Sequence, residues 1–183
     1  VYWCPDCNSA LAEAEVEYKD KTSSSIDFLF EMETSRVNEI FDASVDENTK
    51  TSFLSWTTTP WTIPGNVALS VNPNLDYSLL EVNKDNSTQC LIICKDLIDS
   101  VLERCSISDF TILSTKPGSI LESAEAKHPY FDRKSTVILG DHVTTEMGTG
   151  IVHTAPAHGL EDFHVSNKYL SLIHISEPTR QIV

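Results

Sequence analysis

This sequence predicts a mainly β fold with a few helices, an α+β class in which the strands curl into a β-barrel-like body. Three observations carry that prediction. Short runs rich in β-branched and aromatic residues recur along the chain, divided by turn-forming Asn, Asp, Pro and Gly. Only one stretch, 95–105, shows a clear helical apolar face. There is no internal repeat that would point to a solenoid or a propeller.

Taken in order, Cys4-Pro5-Asp6-Cys7 opens the chain as a tight turn. Glu13, Glu15 and Glu17 alternate with Ala14, Val16 and Tyr18, the period-two pattern of a half-buried strand. Residues 26–32 have the same character, and the polar stretch 42–50 reads as a surface loop. Residues 51–59 form the next strand, which Pro60 stops while holding Thr59 extended. Three strands follow at 68–71, 77–82 and 89–94, separated by Asn72-Pro73-Asn74 and Asn83-Lys84-Asp85-Asn86. In the helix at 95–105, Leu97, Ile98, Val101, Leu102 and Cys105 share one face. Strands resume at 110–115, 137–139 and 151–154. A second helix starts near Gly159, with Glu161 and Asp162 in its first turn, where the helix dipole favours acids.

A chain of 183 residues, 40% of them hydrophobic, can bury one real core. No apolar run approaches the roughly 20 residues that span a bilayer, and the first ten residues lack the pattern of a signal peptide. The first residue is Val1 rather than methionine, which points to an internal piece of something longer. The formal net charge of −14 argues against a protein whose main work is gripping nucleic acid, because phosphate contacts need Lys and Arg. Any RNA contact made here is expected to be local. Five cysteines (Cys4, Cys7, Cys90, Cys94, Cys105), an odd number without a regular framework, fit a reducing cytoplasm better than a secreted disulfide scaffold.

Two segments carry chemistry. Residues 56–66 hold four threonines, two prolines and two tryptophans. Prolines that fix the backbone can hold hydroxyls in place at little ordering cost. The plain alternative is a threonine-rich edge strand ending in a proline turn. Residues 148–164 place glycines on both sides of a short apolar strand, then turn through Pro156 and Gly159 into the second helix. His153, His158 and His164, with Glu161 and Asp162, make a polar cluster there. A metal site built from His153, His158, Asp162 and His164 is a competing expectation, although the spacing lacks the His-Glu-x-x-His geometry. The Gly-x-Gly alone is weak evidence for phosphate binding, and no Gly-x-Ser-x-Gly elbow of a serine hydrolase occurs.

Beyond their physics, these segments resemble a known family. The run from Trp3-Cys4-Pro5-Asp6-Cys7 through Tyr18 resembles the start of the editing insertion of bacterial isoleucyl-tRNA synthetases. Thr57-Thr58-Thr59-Pro60-Trp61-Thr62-Ile63-Pro64-Gly65-Asn66 is similar to that family's threonine-rich motif, and Gly148 to Phe163 to its second editing motif. The similarity runs in order from about Val1 to Tyr169. Valyl and leucyl relatives typically carry Arg where Thr59 stands and an acid where Trp61 stands, which favours the isoleucyl assignment. Gly65 departs from the pattern, since Ala is common there, and little effect is expected.

The resemblance implies hydrolysis of valine wrongly esterified to the 3′ end of tRNA(Ile), within a larger cytoplasmic synthetase and away from any membrane. On it, Asp162 would bind the α-ammonium of the misattached valine. Thr57, Thr58 and Thr59 would hold the ester, the terminal adenosine or the attacking water. Trp61 and His153 would line the valine pocket, with Thr62, Asn66 and His158 as supports or further contacts. No cofactor is implied for editing. Cys4 and Cys7 would be half of a zinc site completed elsewhere in the full-length parent. The implied organisation is a stem at 1–15, an editing domain at 16–169 that is incomplete at its C-terminus, and a tail at 170–183. Within the tail, LSLIHISEPTR looks like the in-frame translation of a sequencing adapter; an ordinary apolar strand is the alternative. Two other functions stay open at this point. One is a module that binds the tRNA end without turnover, and the other is an unrelated metal-dependent hydrolase.

Overall fold

The computed structural model describes residues 2–20, 22, 24–84 and 87–169, so the expectation for the tail lies outside the described residues. The chain opens with a two-stranded antiparallel hairpin, β1 (Tyr2–Cys4) and β2 (Ser9–Leu11), whose side chains are mostly exposed. After it the period-two stretch at 13–18 is not a strand. Glu13–Glu15 forms one 3-10 turn, closed by the Ala12 N–H donating to Glu15 Oε2 at 2.8 Å. With no neighbouring strand to pair with, local hydrogen bonding outcompetes the extended form.

Among the described residues, nine strands form the body. Five make a sheet in the order β3 (Ile26–Met32), β4 (Thr51–Thr57), β7 (Ser87–Cys94), β6 (Asp76–Lys84), β8 (Asp109–Pro117). Four make a second sheet in the order β11 (Ile151–Thr154), β5 (Ala68–Val71), β10 (Lys134–Leu139), β9 (Glu125–Lys127). All pairings are antiparallel except β4 with β7 and β5 with β10. The sheets face each other along β4 and β11 and again along β3 and β9. Among the described residues they do not hydrogen-bond into a closed ring, so the barrel-like expectation is met as a pair of open, mutually packed sheets.

The core between them is aromatic and branched: Phe30, Phe53, Leu69, Tyr77, Leu79, Leu80, Ile92 and Val137 are all fully buried. Tyr77 has its hydroxyl deep in this core, where it donates to Gly150 O at 2.7 Å and accepts from Asn72 N–H at 2.9 Å. Burial of the phenol pushes its pKa well above the usual value, opposed by the Asn72 N–H bond, which favours the phenolate.

The helices cover this core. The amphipathic stretch at 95–105 is split into a 3-10 turn, Lys95–Leu97, and α2 (Ile98–Arg104), and buries Leu97, Ile98, Val101 and Leu102. Arg104 grips Asp27 of β3 in a two-pronged ion pair, at 2.7 and 2.9 Å. The helix near Gly159 is α3 (Leu160–Lys168). Besides the opening hairpin and short 3-10 turns, two elements go beyond the sequence expectations. One is α1 (Thr34–Phe41), whose Val37 and Phe41 reach the core. The other is the three-residue β9. α1 is too short for its apolar spacing to stand out, and β9 has no more than Ala126 pointing inward.

Candidate functional site

The first motif becomes a strand end and a turn. β4 stops at Thr57, two residues earlier than expected, because its hydroxyl accepts the Thr59 N–H at 3.0 Å and so bends the chain locally. Pro60 then starts a 3-10 turn, Pro60–Gly65. The result is a line of hydroxyls. Thr57 Oγ1 lies 3.2 Å from Thr59 Oγ1, and Thr59 Oγ1 lies 3.4 Å from Thr62 Oγ1. Thr62 donates to Thr59 O at 2.8 Å.

The second motif arrives from the other sheet. Ser55 of β4 donates across to Ile151 O of β11 at 2.9 Å, which locks the two strands side by side. The approach depends on Gly150. Its φ is +73°, and a Cβ there would stand 2.2 Å from Cys94 Cβ, so only glycine lets β11 start against β7. β11 carries His153 to the end of the threonine line, with Nε2 at 2.9 Å from Thr62 Oγ1. Because Thr62 already donates to Thr59 O, it must accept from His153, which places the imidazole proton on Nε2. The other nitrogen, Nδ1, is buried and has no partner among the described residues. Burial pushes the His153 pKa down, opposed by the Asp162 carboxylate and reinforced by His158 and His128. The ring is therefore neutral at pH 7, with a free lone pair.

Asp162 lies in the first turn of α3 and is half-buried. One carboxylate oxygen, Oδ2, accepts the Ala155 N–H at 2.9 Å, which ties the helix start to the end of β11. Asp162 also lines the same cleft as the threonines. That cleft, about 320 Å³, is lined by Thr57, Thr58, Thr59, Thr62, His153, His158 and Asp162.

Two expected site residues stand elsewhere. Trp61 is 71% exposed and does not line the cleft, because the 3-10 turn swings it outward. Asn66 is fully buried, donating to Ala68 O at 2.7 Å and accepting from Ser135 Oγ at 2.6 Å, so both ends of its amide are occupied by the scaffold. Gly65 also has more consequence than the sequence implied. A Cβ there would meet His158 Cε1 at 2.8 Å, so an alanine would displace that ring from the cleft wall.

Sequence reasoning missed Trp56, Met147, Thr144 and His142, which complete the lining. Trp56 opens the first segment and Met147 precedes the second, so both could have been found there. Thr144 and His142 lie in the irregular loop after β10, and only the fold brings them near.

The structure does not gather the four residues of the metal alternative in one place. His164 stands apart from the cleft, in a depression with Gly140, Asp141, His142, Glu161, Val165 and Lys168. Among the described residues no group of three or more His, Cys, Asp or Glu is placed to hold a metal. Cys4 and Cys7 sit together in the hairpin turn, the Cys7 N–H pointing at Cys4 Sγ at 3.4 Å. Hydrogen bonds from Cys7 and Asp6 lower the Cys4 thiol pKa. Two thiols supply half of the four donors a structural zinc needs, so the described residues do not form a complete site.

No family model matches the chain. It is 52% identical over 169 residues to an isoleucine–tRNA ligase of Shewanella sp. (strain W3-18-1), and 48% identical over 170 residues to one of Coxiella burnetii (strain Dugway 5J108-111). In both cases the match covers 92% of this chain and 18% of the relative's length. Among solved structures, the chain superposes on GlLeuRS-CP1 with a TM-score of 0.64 and 20% identity, covering 80% of this chain and 64% of that one. It superposes on the Plasmodium knowlesi cytosolic leucyl-tRNA synthetase editing domain with a TM-score of 0.65 and 17% identity, covering 87% and 69%. At such identities the structural likeness speaks for the fold alone.

Proposed function

From its homology, over 92% of its length, to a segment of bacterial isoleucine–tRNA ligases, we propose that this chain is the editing unit of such a ligase. On this proposal it hydrolyses the ester of valine misattached to tRNA(Ile). The observation that carries it is a single cleft lined both by the Thr57–Thr59 run and by Asp162 and His153, from motifs about a hundred residues apart in the sequence.

The chemical need is plain. Isoleucine and valine differ by one methylene, worth about 1–3 kcal/mol in an apolar pocket, too little for faithful decoding; isoleucine–tRNA ligase is itself the standard illustration of that magnitude. A second pocket that admits only the smaller side chain, and hydrolyses what it admits, supplies the remainder.

In this cleft the Asp162 carboxylate binds the α-ammonium of the bound valine by a charge-assisted hydrogen bond, worth about 1.5–3 kcal/mol. The Ala155 N–H holds the carboxylate in place for that contact. The threonine hydroxyls position the ester and the attacking water, and the neutral His153 ring forms part of the side-chain wall. An aminoacyl ester is already activated, so holding water and ester together and stabilising the developing oxyanion suffice, with no covalent nucleophile. Trp61, outside the cleft, has no role in the wall.

The partners proposed are the 3′ end of tRNA(Ile) carrying valine and the remainder of the cytoplasmic synthetase. With a net charge of −14, this unit leaves most of the grip on tRNA to the rest of the enzyme. Residues 1–15 serve as the stem and 16–169 as the editing unit. Among the described residues no helix is long and apolar enough to cross a membrane. The test is deacylation of valyl- against isoleucyl-tRNA(Ile), with Asp162→Ala as control. Preferential release of valine, abolished in the variant, is expected; undiminished hydrolysis by the variant overturns the assignment.

A further inference from the structure

The turn Pro60–Gly65, which brings Thr62 to His153, is closed at each end by a backbone bond. Thr62 N–H donates to Thr59 O at 3.0 Å and Asn66 N–H to Ile63 O at 2.9 Å. The carbonyls of Ile63, Pro64 and Asn66 are also met by the connection between β9 and β10. His128 Nε2 lies 3.0 Å from Ile63 O. One guanidinium nitrogen of Arg133, Nη2, donates to Pro64 O at 2.6 Å and to Asn66 O at 2.8 Å. Three carbonyls at the end of the turn and just past it, those of Ile63, Pro64 and Asn66, are thus met by two side chains.

The His128 tautomer follows from its surroundings. Nδ1 stands 3.1 and 3.2 Å from the N–H groups of Tyr130 and Phe131, so it accepts from them and Nε2 carries the proton given to Ile63 O. A protonated ring would turn a third donor toward those two. Burial lowers the His128 pKa, opposed by the bond to Ile63 and reinforced by the Arg133 cation, and so favours the neutral ring the contacts require. The ring is fixed laterally by Phe30 and Phe131, at centroid distances of 6.3 and 5.1 Å. The Arg133 guanidinium lies over Phe131 at 5.3 Å.

We propose that His128 and Arg133 are positioning residues that clamp the Pro60–Gly65 turn and thereby hold Thr62 in register with His153. Neither side chain lines the cleft. They act on the threonine line through the backbone that carries it. The effect on hydrolysis rests on the function proposed above, whereas the clamp itself does not.

Three variants of the 183-residue chain separate the contacts. His128→Asn keeps an acceptor near Nδ1 but is too short to reach Ile63. His128→Gln keeps an N–H donor near Nε2. Arg133→Met removes the other arm. Amide hydrogen exchange is read at Thr62 and Asn66, with Leu80 and Ile92 of the central β6–β7 pair as internal reference. His128→Asn and Arg133→Met are expected to speed exchange at residues 62 and 66 about fivefold or more relative to the reference, the loss of about one net hydrogen bond. His128→Gln is expected to stay close to the parent. On valyl-tRNA the first two should lower kcat with little change in KM, and His128→Gln should restore kcat.

Unchanged exchange at 62 and 66 in both His128→Asn and Arg133→Met overturns the clamp. So does equal acceleration in His128→Asn and His128→Gln, since the tether would then not run through Nε2. Should His128→Asn loosen the reference amides equally, the same ratio in Arg133→Met decides. Faster exchange with kcat intact overturns the positioning role. Faster exchange in a parent chain that hydrolyses nothing supports the clamp and counts against the editing function alone.

Discussion

Replacing Asp162 with Asn separates the bond this side chain makes to Ala155 from the ammonium contact proposed for it. The amide is nearly isosteric, and its oxygen can still accept the Ala155 N–H that Oδ2 accepts at 2.9 Å. What disappears is the negative charge. If that charge binds the substrate ammonium, the loss is the charge-assisted part of the contact, about 1.5–3 kcal/mol. At 1.36 kcal/mol per factor of ten, this lowers kcat/KM for valyl-tRNA about 10- to 150-fold. Asp162→Ala should lose at least as much activity and also leave the Ala155 N–H without its partner. That unpaired donor costs about 1–3 kcal/mol of stability, or roughly 2–10 °C in Tm for a chain of this size. The assay is single-turnover deacylation of valyl-tRNA(Ile) beside thermal unfolding of both variants. Parental hydrolysis by Asp162→Asn would refute the ammonium contact. Equal Tm values for Asn and Ala variants would refute the link between α3 and β11.

Other expectations follow from the same geometry. Thr62→Val keeps the β-branched shape but leaves His153 with neither nitrogen bonded, and should cost about 1–3 kcal/mol in urea unfolding. Gly150→Ala forces a side chain into a positive φ and against Cys94, so destabilisation of about 2–5 kcal/mol is expected, with loss of the cleft, readable by chemical denaturation. For pH, His153 and His128 both have folded pKa values below the unfolded value of about 6.5. The unfolded chain therefore binds more protons in the window below 6.5. The stability these rings contribute is fully present above that pH and is lost as pH falls through the folded values. Unfolding free energy should fall between pH 7.5 and 5.5, and His153→Gln should flatten the slope; an unaltered slope would contradict the buried neutral ring.

Much of the fold was legible because strands declare themselves through local chemistry. The runs at 68–71, 77–82, 89–94 and 151–154 carry enough branched and aromatic residues for burial to follow wherever they pair. The period-two run at 13–18 failed for the converse reason. Alternation describes a half-buried strand only if a partner exists, and there Glu15 turned back onto Ala12 instead. Asp162, His153 and the threonines do line one cleft, and the sequence offered them because each motif is dense in residues able to perform chemistry. Trp61 and Asn66 belong to the same dense motif, yet one faces solvent and the other serves the scaffold. Direction around a 3-10 turn depends on what clamps that turn, and the clamp comes from residues 128 and 133.

By itself, then, the sequence determined which side chains could take part: hydroxyls on a proline-stiffened segment, a carboxylate in a helix's first turn, a histidine on a short buried strand. Only the tertiary structure decided which of them meet. The Ser55 bond to Ile151 and the bare Gly150 let two sheets close to within one hydrogen bond of each other. Such contacts join residues far apart along the chain, and their strength depends on distance and burial in space, which no local pattern encodes.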